Sequence, residues 1–190
     1  MNEFHDNIWA PWRMEYIRSL AEDDQDGCFL CRYRDDPGQD AAHHVLWRTE
    51  HCFVVMNRFP YTNGHLLIAP YQHVEDFTDL AEPQYADLWR QTGDAKLALT
   101  RLMNPNGFNI GVNLGLCAGA GLPGHVHVHI VPRWTGDTNF MAVLGDVRVV
   151  PEALGRMYDH LRQTCVSLGI PRPSANARAE ARGSGGRQPP

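Results

Sequence analysis

Gly124-His125-Val126-His127-Val128-His129-Ile130-Val131-Pro132-Arg133 carries the reading of the fold. In an extended chain, successive side chains alternate between two faces. His125, His127 and His129 then share one face, and Val126, Val128 and Ile130 share the other. Such a strand has a core face of branched aliphatics and a chemical face of imidazoles. A lone histidine is most simply a satisfied core or surface residue. Three at strict period two, between a small-residue loop and a Pro-Arg stop, form a polar pattern that core packing does not require.

The loop that feeds this stretch is Leu114-Gly115-Leu116-Cys117-Ala118-Gly119-Ala120-Gly121-Leu122-Pro123-Gly124. Small residues let backbone N–H groups approach an anion closely. There is no Gly-Lys-Ser/Thr, so this is not a Walker loop. The amides of Ala118, Gly119, Ala120 and Gly121 are the candidates for holding phosphate oxygens. An imidazole facing such a cradle is placed to attack phosphorus.

Working outward, residues 44–48 and 52–57 read as two strands around a Thr49-Glu50-His51 turn. Arg58 to Gly64 is a loop, with Pro60 and Asn63-Gly64 as turn signals. His65 to Ala69 is the next strand, stopped by Pro70. Residues 73–80 predict a short helix. From Pro83 to Met103, the set Tyr85, Leu88, Trp89, Thr92, Ala95, Leu99 and Leu102 keeps a helical period and is assigned to core or dimer contact, and Asn104-Pro105-Asn106-Gly107 ends the helix. Phe108 to Asn113 is a fourth strand. Residues 140–150 predict a strand or extended arm. Pro151 to Leu168 is a terminal helix, with Leu154, Met157, Tyr158, Leu161 and Val166 proposed for one face. Residues 9–20 predict an amphipathic helix with Pro11 in its first turn. Five strands, a long crossover helix and helices at both termini give an α+β domain with a mainly antiparallel sheet. The domain is expected over residues 1–170, and residues 171–190, rich in Gly, Pro, Ser and Arg, over a disordered tail.

Composition narrows the class. A chain of 190 residues with 43% hydrophobic and 21% charged residues reads as one globular domain. A net charge of -5 argues against a general nucleic-acid binder. There is no run of apolar residues long enough for a membrane span, and the first residues lack the apolar core of a secretory signal. Five cysteines are an odd number for a disulfide framework. The expectation is a reduced, cytoplasmic protein.

Cys28-Phe29-Leu30-Cys31 has a spacing that can share one metal ion or form a redox disulfide. No βαβ pattern leads into it, as a redox motif would need. Zinc requires two further ligands, and histidines are available.

With its continuation Trp134-Thr135-Gly136-Asp137-Thr138-Asn139-Phe140-Met141, the triad stretch resembles the histidine triad superfamily. Within it, the chain is similar to the branch of diadenosine tetraphosphate phosphorylases and related nucleotide hydrolases, over about residues 9–165. The resemblance implies a histidine-triad-like fold and cleavage of dinucleoside polyphosphates, with a purine nucleotide as substrate. It makes His127 the nucleophile, forming a nucleotidyl-histidine intermediate. His129 and His65 lie beside the phosphates to neutralise or protonate their oxygens, and Asn113 contacts the reacting phosphate or the attacking imidazole. Asn57, with a donor and an acceptor, meets the ribose hydroxyls. The resemblance also implies a structural zinc on Cys28, Cys31, His73 and His125, no organic cofactor, and a homodimer or tetramer. It favours inorganic phosphate over water as the second acceptor. Many relatives carry a Ser or Thr just before the triad; Gly121, Leu122 and Pro123 stand there instead, which puts in doubt any mechanism needing that hydroxyl. Lys96, the sole lysine, disfavours a lysine intermediate. Three alternatives remain open: a hydrolase of other nucleotidyl conjugates, a metal-dependent hydrolase using the triad as zinc ligands, and a non-catalytic nucleotide sensor.

Overall fold

The computed structural model describes residues 27–118, 122, 124–137 and 152–172. Its strands are β1 (Val45–Arg48), β2 (Cys52–Met56), β3 (Leu66–Pro70), β4 (Gly107–Val112) and β5 (Val128–Arg133), and its helices are α1 (Phe29–Asp35), α2 (Glu82–Met103) and α3 (Leu154–Leu168). The strands form one sheet in the order β1-β2-β3-β5-β4, and every neighbouring pair is antiparallel. This is the expected α+β architecture, with α2 as the crossover between β3 and β4.

The central strands β2 and β3 are buried along their whole length, which explains their near-continuous apolar sequences. One sheet face packs against α2 and α3 through Val54, Met56, Leu66, Ile68, Val128 and Ile130, with Leu88, Leu99, Met157 and Leu161 from the helices. The opposite face carries Val45, Phe53, Val55, Leu67 and Ala69, closed by Leu30 of α1. Register decides which histidines share that second face: Leu67 pairs with His129, and Gly111 pairs with the same residue from β4. The face away from α2 is therefore the imidazole face.

The tight hairpin before β3 depends on Gly64. Its φ of +77° lies in the left-handed region, and a Cβ there would come within 2.7 Å of Met103 Sδ and 2.8 Å of Leu99 Cδ2. A side chain would have to displace the C-terminal turn of α2.

Several expectations are corrected. The triad is not one continuous strand: β5 begins only at Val128. Its pairing with both neighbours begins there too, with Val112 of β4 and Ile68 of β3 both opposite Val128. The preceding backbone turns away, and the Val126 N–H donates to Val74 O at 2.7 Å. Of the α2 stripe assigned to core or dimer contact, Leu88, Thr92, Ala95 and Leu99 are buried. Tyr85 and Trp89 are exposed, whereas Asp87, Gln91 and Asp94 are buried. These polar groups are satisfied: Asp87 accepts from Thr49 Oγ1 at 2.6 Å and Gln91 Nε2 at 2.9 Å, Gln91 Oε1 accepts from Trp47 Nε1 at 2.9 Å, and Asp94 is paired with Arg172. In α3, Val166 is exposed and Cys165 is buried in its place. The helix expected over residues 73–80 shrinks to a single 3₁₀ turn, Phe77–Asp79. Helix α1 was not anticipated. The helix expected over residues 9–20, the arm over 140–150, the Thr138–Met141 continuation and the tail beyond Arg172 lie outside the described residues.

Candidate active site

The row of histidines divides at His127. Toward the chain start, His125 is fully buried. Its Nε2 donates to Pro70 O at 2.9 Å. That leaves the Nδ1 lone pair facing Cys28 Sγ at 3.2 Å and Cys31 Sγ at 3.6 Å. His73 Nδ1 closes on Cys31 Sγ at 3.2 Å. The four donor atoms of Cys28, Cys31, His73 and His125 all lie within 4.8 Å of one another. Tetrahedral zinc, with bonds of about 2.0–2.3 Å, separates its ligands by about 3.3–3.8 Å, so the set fits such an ion with small adjustments. The carbonyl on His125 Nε2 is the outer partner that a ligating histidine normally has. Burial pushes the His125 imidazole down to about 4, which keeps the ring neutral, as a ligand must be. Burial pushes the Cys28 thiol up to about 11, so an incoming cation would have to displace its proton. Cys28 precedes the first turn of α1, and Leu30 anchors that helix in the second core cluster. The local fold therefore brings both thiols onto the imidazole face.

His127 itself is almost completely buried. Its Nδ1 lies 2.8 Å from the carbonyl oxygen of His125. A carbonyl only accepts, so Nδ1 carries the proton and the lone pair is on Nε2. Burial lowers its pKa from the ordinary histidine value, and the carbonyl contact partly offsets this. The ring is therefore neutral near pH 7 and nucleophilic at Nε2.

The other end of the row carries a second tautomer chain. The Tyr61 N–H donates to His65 Nδ1 at 3.2 Å, and Asn57 Nδ2 reaches the same nitrogen at 3.2 Å. His65 Nδ1 is thus an acceptor, and its proton sits on Nε2. His65 Nε2 lies 3.0 Å from His129 Nδ1, which makes His65 the donor. The His129 proton is left on Nε2. The His127 and His129 rings lie 4.7 Å apart between centroids. Burial first, and the neighbouring His127 second, push the His129 imidazole down to about 4. The face thus presents a lone pair on one ring and a neutral N–H on the next.

The remaining candidates are placed as follows. Asn57 sits beside His65, and its Oδ1 accepts from Phe59 N at 2.9 Å. The Asn113 backbone follows β4 directly. The ladder ends at the Val112–Val128 pair, so Asn113 and His127 each lie one residue beyond the last paired position. Ala118 ends the short turn Leu116–Ala118, and its N–H donates within that turn to Gly115 O at 3.3 Å. Gly119, Ala120 and Gly121 lie outside the described residues. Sequence reasoning did not find the Tyr61 amide or the Pro70 carbonyl, which set the protons of His65 and His125. Backbone donors and acceptors leave no trace in residue identity.

Comparison with known proteins now bears on this geometry. The model of the HIT domain family matches residues 39–136, which include His65, His73 and the whole triad. The chain belongs to the HIT family. A HIT-family relative, the AP-4-A phosphorylase of Mycobacterium tuberculosis strain H37Rv, is 35% identical over 77% of each chain. The asymmetrical bis(5'-nucleosyl)-tetraphosphatase of Schizosaccharomyces pombe is 32% identical over 49% of this chain and 50% of that protein. Among solved structures, a zinc-bound histidine triad family protein from Mycobacterium smegmatis superposes with a TM-score of 0.61 at 25% identity, covering 77% of this chain and 98% of that one. The HIT fold expected from the triad is therefore shown. Among the described residues, no helix is long and apolar enough to cross a membrane.

Proposed function

We propose that this HIT-family enzyme cleaves dinucleoside polyphosphates, diadenosine tetraphosphate among them, at the α-phosphorus. The observation that carries the reading is the pair of opposite tautomers on adjacent rings. His127 offers Nε2 as a lone pair, held there by its Nδ1–H on His125 O. His129 offers Nε2–H, held there by His65. Phosphoryl chemistry at this face needs both: a nucleophile and a donor to the oxygens that gain charge.

In the first step, His127 Nε2 attacks the α-phosphorus. A P–N bond forms, and the bond to the bridging oxygen breaks. The departing nucleoside polyphosphate takes the electron pair, and the nucleoside monophosphate stays on His127. The His129 N–H, backed by His65, donates to a phosphate oxygen. Asn113, like His127 one residue beyond the last β4–β5 pair, steadies the attacking ring or the reacting phosphate. Asn57 retains a second amide hydrogen and a second lone pair for the ribose hydroxyls. Amides of Gly119, Ala120 and Gly121 contribute the oxyanion contacts, since the Ala118 N–H is already donated to Gly115 O. In the second step, inorganic phosphate attacks the same phosphorus, releasing a nucleoside diphosphate and restoring His127. Water in its place would give the monophosphate. The names of the two curated relatives support dinucleoside polyphosphates as the substrate class.

Cys28, Cys31, His73 and His125 would hold a structural zinc, which would tie α1 and the β3 end to the triad. The ligands are four, so no position is left open for substrate. The alternative in which the three triad histidines jointly bind a catalytic metal is disfavoured by their geometry. The Nδ1 atoms turn to three different partners: thiols, a carbonyl and His65. A cytoplasmic homodimer or tetramer completes the proposal.

Product analysis with diadenosine tetraphosphate, with and without inorganic phosphate, tests the reaction. ADP and ATP appearing only when phosphate is present supports phosphorolysis. AMP and ATP in both conditions replaces it with hydrolysis. No cleavage in either condition refutes the substrate class.

A further inference from the structure

The Cys/His cluster and the nucleophile are joined by one residue. His125 presents Nδ1 to the two thiols, and its own carbonyl accepts the Nδ1 proton of His127 at 2.8 Å. Its ring is also pinned from the far side by the carbonyl of Pro70 at 2.9 Å. The segment around it is outside the sheet ladder, because β5 starts only at Val128. Among the described residues, the backbone hydrogen bonds outside the ladder that hold it are the Val126 N–H to Val74 O at 2.7 Å and a longer turn contact from His125 N to Leu122 O at 3.4 Å. The ring contacts of His125 are thus a large share of what fixes the carbonyl that His127 depends on.

We propose that His125 is a positioning residue through which occupancy of the Cys28, Cys31, His73, His125 cluster sets the tautomer of His127. The inference rests on His127 being the nucleophile. Loading the cluster with zinc locks the His125 ring. A locked ring fixes the peptide plane between His125 and Val126, and the fixed carbonyl holds the His127 proton on Nδ1. With the cluster empty, α1 and the loop bearing His73 lose their cross-link to this segment. The His125 carbonyl then swings, and His127 samples the tautomer with its proton on Nε2, which cannot attack.

His73 is the ligand to vary, since it is exposed and its described contacts are with Cys31 and the His125 ring. The full-length protein is compared zinc-loaded, chelator-stripped and zinc-restored, alongside His73→Ala and His73→Cys. Two readouts are taken: ring proton–nitrogen correlation spectra at a pH where the histidines are neutral, and kcat and KM with diadenosine tetraphosphate. In the loaded protein the expected His127 signal is a single tautomer with hydrogen on Nδ1. Stripping, or His73→Ala, gives a mixture of both tautomers and lowers kcat by about 10–100-fold, the usual effect of losing an outer partner of a reactive site, with KM changed less than about twofold. Zinc restoration, and His73→Cys carrying zinc, return both readouts to their starting values. The proposal is overturned if folded protein shown to have released zinc keeps one tautomer and its kcat. It is equally overturned if stripping lowers the folded fraction while the tautomer of the folded molecules is unchanged. Should the protein not cleave this substrate at all, the proposed reaction fails, and the spectra still decide the coupling.

Discussion

The two ends of the histidine row are built from the same residue at the same spacing, yet they are opposites. At His125, every ring nitrogen is turned inward, one to a carbonyl and one to thiols. At His127 and His129, one nitrogen of each ring is held by the protein, by the His125 carbonyl and by His65, and the other has no partner among the described residues. The difference comes from neighbours rather than from the motif. In the proposed reading, thiols and a peptide carbonyl would make an imidazole a structural ligand. A carbonyl alone would make its neighbour a nucleophile, and a second histidine would make the third ring a donor.

That contrast predicts a graded set of effects. Removing the lone pair with His127→Ala should lower kcat by about 10⁴-fold or more, as loss of a nucleophile does in other covalent enzymes, while the melting temperature stays within a few degrees. Activity near that of the parent would erase the distinction between the two ends. Cys28→Ser with Cys31→Ser should act on the opposite quantity. It should abolish stoichiometric zinc binding and cost several kcal/mol in urea unfolding of zinc-loaded protein, because binding energy at such a site is folding energy. Unchanged stability with zinc still bound would show that the cluster is not the metal site. His65→Ala, which frees the His129 tautomer, should reduce kcat by about 10²-fold, the scale of one general acid or electrostatic donor. A change in KM alone would assign His65 to binding.

The smallest effect is on pH. In metal-free protein, both His125 and His129 are pushed down to about 4, chiefly by burial, below the ordinary value near 6.5. The unfolded chain then binds more protons than the folded one between about pH 6.5 and 4, so stability must fall as pH drops through that window. The loss should reach a few kcal/mol in all. A flat stability across it would mean that the rings are less buried than described.

How much of this could be read from the chain follows the same division. Alternation at Val128 and Ile130, the Asn63-Gly64 turn and the strand end at Pro70 were legible because they are local. So was α2, by its period, though not its buried polar groups. The apolar Tyr85 and Trp89 lost the buried face to Asp87, Gln91 and Asp94, whose partners Thr49, Trp47 and Arg172 are distant in sequence. Helix α1 spans seven residues and has no periodic signature. It is fixed by Leu30 packing and by thiols approaching His125 from 97 positions away. The four-residue cluster was expected only from the resemblance, and the tautomers of His65 and His129 required coordinates, since they are set by the Tyr61 backbone.

The central claim is that Nε2 of His127 becomes bonded to phosphorus. Rapid mixing with diadenosine tetraphosphate in the absence of inorganic phosphate, followed by a quench that avoids acid and peptide mass spectrometry, tests it directly. The account predicts one nucleoside monophosphate attached to the peptide containing His127, discharged as ADP when phosphate is added. Turnover with no adduct on that residue, or an adduct on another side chain, would contradict it.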